Sequence, residues 1–113
     1  MQRFEPMVAV DVETKQEALR LFDKLSSDTD HQPIVKIGME LYYAFGPGIV
    51  REAKGRGLTV FLDLKLYDIP NTVERTMRVL GALGASFVTT HAAGGTEMMK
   101  AAKRGLLAGA AAA

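Results

Sequence analysis

The sequence contains no cysteine, which removes disulfide frameworks and cysteine-ligated metals from consideration. Charge of one sign is also nearly absent: 14 Lys and Arg against 13 Asp and Glu leave a net charge of +1. That balance supplies neither a basic field for gripping a nucleic-acid backbone nor an acidic tail, so an anionic ligand must be held by local groups. No stretch approaches the roughly 18 consecutive apolar residues of a membrane span. The leading segment MQRFEPMVAVDVETK carries charge throughout and has no leader-type apolar core. The expectation is a cytoplasmic protein with a small-molecule ligand and with neither nucleic-acid nor membrane partners. Several motifs are missing too. There is no G-x-S-x-G elbow, no P-loop, and no His, Cys or Glu spacing suited to a metal.

What is present is one ordinary globular composition, 113 residues with 48% hydrophobic and 24% charged, long enough for a single core and too short for two full domains. Four times, a short β-branched or aromatic segment precedes a helical pattern, the alternation that predicts a parallel sheet with crossover helices. The strands are expected at Met7–Asp11, Ile34–Ile37, Thr59–Lys65 and Phe87–His91. The first helix spans about Thr14 to Leu25, with Thr14 as N-cap and Ala18, Leu21, Phe22 and Leu25 on one face. After Gly38 the aromatic segment MELYYAF leads into Gly46-Pro47 and a helix of about Gly48 to Arg56, ended by Gly57. Pro70 disfavours helix at Ile69, so the third major helix starts near Asn71 and runs to Leu83, before Gly84. The turn AAGG opens a last helix of about Thr96 to Leu107, with Met98, Met99, Ala102 and Leu106 as its core stripe. Residues 1–107 form the folded part. Residues 108–113, the alanine-rich AGAAAA, read as a truncation, linker or placeholder tail and are left out of the fold.

Four βα units of about 28 residues each match half of a (β/α)8 TIM barrel, whose usual total is about 250 residues. A flavodoxin-like open sheet is the alternative. Against it, VDVETK follows the first strand where a Gly-rich phosphate loop belongs, and neither GPGIVR nor GRGLTV completes G-x-G-x-x-G. A half barrel leaves its terminal strands as open edges, which natural proteins avoid by pairing or closure.

In TVFLDLK, Phe61, Asp63 and Lys65 share one face of the strand, and Val60, Leu62, Leu64 and Leu66 share the other. The leucine face packs on helices, leaving Asp63 and Lys65 toward the barrel axis at the strand's C-terminal end. Asp11, Lys36 and His91 occupy the corresponding ends of the other strands. Barrel enzymes place their reacting groups at this rim. A merely satisfied rim charge accounts for any one of these residues more easily than for the set. Asp63, Lys65 and Asp68 form D-x-K-x-x-D, whose two carboxylates would hold the lysine protonated and so fit it as a proton donor rather than a Schiff-base nucleophile. Asp11 and Asp63 could serve as hard oxygen ligands, although Lys36 and Lys65 beside them already supply positive charge. Tyr42, Tyr43 and Phe45 are expected to cover a core edge or subunit contact, and His31, beside Asp28 and Asp30, to face solvent.

The segments VAVD, VKIGMELYYAFGP, FLDLKLYDIPNTV and THAAGGTEMM resemble the orotidine 5′-phosphate decarboxylase family in its bacterial form, from Val8 to about Leu107. D-x-K-x-x-D alone is shared with a wider superfamily of sugar-phosphate decarboxylases and aldolases; KIGMELYY and DIPNTV are more specific. The resemblance implies a lyase that converts orotidine 5′-phosphate to UMP in pyrimidine biosynthesis, without metal or organic cofactor. It implies that Asp11 and Lys36 bind the ribose hydroxyls, with Lys36 also tied to the carboxylate cluster. Asp63 would face the substrate carboxylate and Lys65 the C6 carbon. Asp68, Ile69 and Thr72 would reach into a neighbouring subunit's site, so that the tetrad Lys36, Asp63, Lys65 and Asp68 is completed in a homodimer. His91 matches a family position without an assigned role, and Tyr67 stands where many bacterial members carry histidine. The family's phosphate-gripping glutamine and arginine belong to the second half of the barrel and have no counterpart after Leu107, so the chain alone is expected to be inactive. A Mg-dependent sugar-phosphate decarboxylase or aldolase, and a non-catalytic half barrel, are the competing readings.

Overall fold

The computed structural model describes residues 5–113; Met1–Phe4, part of the charged leading segment read above as lacking a leader core, lie outside the described residues. The elements follow as β1 (Met7–Ala9), α1 (Lys15–Ser26), β2 (Ile34–Gly38), α2 (Met39–Phe45), α3 (Gly48–Gly55), β3 (Thr59–Leu66), α4 (Pro70–Leu83), β4 (Phe87–Thr90) and α5 (Gly95–Ala112), with a 3-10 turn at Ala92–Gly94. The four strands are parallel and ordered β1-β2-β3-β4, as sequential βα units require. The chain divides within β3 into two compact units, one ending at Phe61 and the other spanning Leu62–Ala113.

In the first unit β1 pairs with β2 in register Met7↔Ile34, Val8↔Val35 and Ala9↔Lys36. Backbone bonds from Ile34 N–H to the Pro6 carbonyl and from Val10 N–H to the Lys36 carbonyl, both 2.9 Å, continue the ladder at either end. Ile34, Val35 and Ile37 are all buried, so β2 reads as a near-continuous apolar run, as a strand covered on both faces must. Lys36 is its polar exception. Thr14 caps α1 as expected, its hydroxyl accepting the Glu17 N–H at 3.1 Å. The buried stripe of α1 is narrower than its periodicity predicts: Ala18 and Phe22 are buried, while Leu21 and Leu25 are only partly so. Arg56 just beyond α3 binds Asp23 of α1 at 2.6 Å and Glu52 at 2.8 Å, and these carboxylates push its guanidinium pKa up.

MELYYAF, expected as an aromatic connection, is instead helix α2. It buries only Leu41, so it has no amphipathic stripe to announce itself, and its aromatics favour strand by propensity. Tyr43 and Phe45 are exposed and Tyr42 is half-buried against the edge of Tyr43.

The second unit is built on the crossing of α4 and α5. Val73, Met77 and Leu80 of α4 are buried, as are Met98, Ala101 and Ala102 of α5. Gly84 ends α4 with φ 103°, a left-handed cap that only glycine takes at little cost. The last helix runs to Ala112 rather than to Leu107, because alanine is the best helix former and Gly109 packs against the Arg78 carbonyl. Met99, assigned above to the core stripe, is exposed; Gly105 and Gly109 take the buried positions along with Met98, Ala101 and Ala102.

Glu74 of α4 accepts a hydrogen bond from Arg104 of α5 at 2.8 Å, and this guanidinium holds its carboxyl below the ordinary value of 4.5. A carboxyl lowered in the folded state stabilises above its unfolded value, and the contribution is lost as pH falls through the folded one. Melting temperatures of the wild-type chain and of Glu74→Gln should therefore differ at pH 7, with wild type higher, and converge as the pH falls below the lowered folded value. An equal gap at both pH values would show that the ion pair contributes nothing. The helices of the described residues include none long and apolar enough to cross a membrane.

Candidate active site

Each unit carries one cluster of charged groups at the C-terminal end of its strands. In the first, Lys36 Nζ donates to Asp11 Oδ1 at 3.1 Å. The register explains the pairing. Ala9 lies beside Lys36, so Asp11 is about 6–7 Å further along, a distance that the four-carbon lysine stem spans. The ammonium is partly buried, whereas Asp11 is largely exposed. Such a pair offers a carboxylate and an ammonium to neighbouring hydroxyls at once.

In the second unit, β3 alternates as the sequence predicts. Val60, Leu62 and Leu64 are buried, while Phe61 and Asp63 on the other face are partly covered and Lys65 is exposed. Leu66, expected on the buried face, is only half-buried. The alternation ends at Lys65, which has φ 51° and is the one non-glycine residue with positive φ among those described. This turn folds the lysine back on its own strand, so that Nζ donates to both oxygens of Asp63 at 2.9 Å. Asp63 Oδ1 also accepts the Thr89 hydroxyl from β4 at 2.8 Å, and that same hydroxyl accepts the Lys65 backbone N–H at 2.9 Å. The carboxylate thus receives an ammonium and a hydroxyl together, a charge-assisted arrangement stronger than a neutral hydrogen bond.

Asp68, Ile69 and Thr72 lie exposed between the end of β3 and the first turn of α4. Asp68 Oδ1 accepts the Ile69 N–H at 2.7 Å, so the D-x-K-x-x-D spacing brings Asp63 to the lysine while Asp68 braces the loop. Ile69 is the extended N-cap of α4, with Pro70 in its first turn. His91 follows β4; its N–H bonds the Leu66 carbonyl at 2.9 Å and its ring stacks on Tyr67 with centroids 5.0 Å apart. His31 faces solvent as expected, against Asp28 at 3.2 Å.

Thr89 was not legible as a site residue. The available signal is a hydroxyl residue near the end of β4, two places before His91, on the strand that neighbours β3.

Comparison with known proteins places these features in a family. The sequence profile described as "Orotidine 5′-phosphate decarboxylase / HUMPS family" matches residues 5–112. Orotidine 5′-phosphate decarboxylase of Lactiplantibacillus plantarum is 56% identical over 107 residues, covering 95% of this chain and 44% of the relative. That of Streptococcus thermophilus is 53% identical over 106 residues, covering 94% and 45%. The crystal structure of orotidine 5′-phosphate decarboxylase from Lactobacillus acidophilus is similar with a TM-score of 0.85 at 40% identity, covering 95% of this chain and 47% of that one. The chain spans about half the length of the curated relatives it matches. Its fold is four βα units of a (β/α)8 barrel. With the profile matched over nearly its whole length and the βα units superposing on those of a solved member, the chain belongs to the orotidine 5′-phosphate decarboxylase / HUMPS family.

Proposed function

We propose that the chain supplies the N-terminal half of a cytoplasmic, cofactor-independent orotidine 5′-phosphate decarboxylase, a lyase that forms UMP in pyrimidine biosynthesis. The observation that carries this reading is the conformation of Lys65. A left-handed backbone costs a non-glycine residue about 1–2 kcal/mol, and a half-exposed ion pair returns at most about 1 kcal/mol. The ion pair alone does not offset that cost, and strain of this kind gathers at functional sites.

The chemistry follows from the ammonium. As the bond from C6 of orotidylate to its carboxyl breaks, CO2 leaves and the electron pair stays on C6, where no ring carbonyl delocalises it in the usual way. Lys65 Nζ beside C6 stabilises that charge as it develops, then transfers a proton to the carbon to give UMP. Asp63 holds the ammonium in place and, facing the substrate carboxylate, raises the ground state as a secondary effect. Asp11 and Lys36 bind the ribose hydroxyls. Lys36, Asp63, Lys65 and Asp68 act together as the catalytic tetrad, with Asp68, Ile69 and Thr72 contributed across a homodimer. Phosphate binding belongs to the second half of the barrel, and such remote binding energy supplies much of the transition-state stabilisation.

The test uses the 113-residue chain alone and a chimera in which its residues 1–107 continue into the C-terminal half of the L. plantarum relative. The chain alone should show no measurable decarboxylation of orotidine 5′-phosphate, and the chimera should show it, unchanged by a chelator. A folded chimera that is inert toward orotidylate, or one that loses activity on chelation and regains it with Mg, overturns the assignment; the second result favours a Mg-dependent member of the superfamily.

A further inference from the structure

We infer that Thr89 is a positioning residue for the Lys65–Asp63 pair, acting through one hydroxyl that fixes both the backbone of the lysine and the carboxylate it rests on. The inference deepens the function proposed above and rests on it.

Three observations support the assignment. First, the hydroxyl bonds in both directions: its single proton goes to Asp63 Oδ1 at 2.8 Å and a lone pair takes the Lys65 N–H at 2.9 Å. Its polarity is thereby fixed, since the carboxylate can only accept and the amide can only donate. Second, it acts at the strained residue. With φ at 51°, the Lys65 N–H receives a side-chain acceptor, and the His91 N–H bonds the Leu66 carbonyl one residue further on. Third, Asp63 Oδ1 is shared between Thr89 and Lys65 Nζ. The hydroxyl therefore sets the rotation of the carboxylate that presents both oxygens to the ammonium. Threonine suits this task because its branched Cβ restricts χ1, so the strand that carries it also aims it.

Thr89 touches neither C6 nor the leaving carboxyl in this assignment, so its loss should appear in turnover rather than in binding. Misplacement of a reacting group by about 1 Å costs on the order of a hundredfold in rate. In the chimera, Thr89→Ala should lower kcat by roughly 10- to 100-fold with KM changed less than about threefold, and Thr89→Ser, which removes the same methyl but keeps the hydroxyl, should stay within about threefold of wild type. A second measurement needs no activity. In the 113-residue chain, amide hydrogen exchange at Lys65 should accelerate in Thr89→Ala and remain near wild type in Thr89→Ser. Equal kcat in the alanine and serine variants of an active chimera overturns the positioning role. Unchanged Lys65 exchange in Thr89→Ala overturns the clamp itself. If the wild-type chimera is folded but inert, the proposed function fails, and the exchange experiment still decides whether Thr89 holds the lysine.

Discussion

Replacing Lys65 with alanine should lower orotidylate decarboxylation by the chimera at least about 10⁴-fold, because in the proposed mechanism one side chain supplies both the charge opposite the developing carbanion and the proton that quenches it. Binding of UMP should weaken less than about tenfold, since the proposed ribose and phosphate contacts lie elsewhere and the ammonium is proposed to act after the substrate is seated. Lys65→Arg should not restore the rate: guanidinium keeps the positive charge but gives up its proton far too reluctantly to serve as an acid. The measurement is kcat beside a separate Kd for UMP. A variant that loses binding while its remaining complex turns over normally would remove Lys65 from the chemistry. The same variant tests whether sites are shared. Mixed with Asp68→Ala, it should recover about a quarter of wild-type activity after random subunit exchange, since half of the dimers are mixed and each mixed dimer has one intact site of two. No recovery despite proven exchange would place Asp68 in its own subunit's site.

The parts of this site that the sequence disclosed are those governed by strand period and chain order. Asp63 and Lys65 stand out because Leu62 and Leu64 occupy the alternate, buried positions, and the expectation that a carboxylate holds the lysine follows from their spacing of two. Period alone says nothing of a backbone that leaves the strand at its last polar residue. The positive φ at Lys65 goes with a tertiary partner, the Thr89 hydroxyl on another strand, and cross-strand register is not written in either segment. Asp68 shows the opposite limit: its spacing suggests a second carboxylate on the lysine, and the extended Ile69 before Pro70 turns it toward the loop backbone instead. Among the helices, Thr14 was readable from a local cap rule. Helix α2 was not, because a single buried leucine makes no stripe.

Glycine inside a helix is less favourable than alanine by about 1 kcal/mol, and yet at Gly81, Gly105 and Gly109 the backbones of α4 and α5 come into close approach. A Cβ on Gly105 would run into the backbone carbonyl of Glu74, one on Gly81 into that of Leu106, and one on Gly109 into that of Arg78. Each obstacle is backbone carbonyl, which cannot rotate aside as the end of a flexible side chain could. Gly105→Ala must therefore push the two helices apart, and separation at one contact loosens the other two and the Met77 and Met98 packing beside them. Overpacking of this kind costs about 1–3 kcal/mol, occasionally more. At roughly 4 °C per kcal/mol for a chain of this size, the melting temperature of the 113-residue chain should fall by about 4–12 °C. Gly55→Ala provides the control: its Cβ would meet open space at the exposed end of α3, and helix propensity there favours alanine by up to about 1 kcal/mol. The pair of variants isolates space from propensity, since both exchange glycine for alanine within a helix. If thermal unfolding shows Gly105→Ala as stable as wild type while Gly55→Ala behaves as expected, close backbone approach does not hold α4 to α5, and their contact rests on the Met77, Leu80 and Met98 side chains instead.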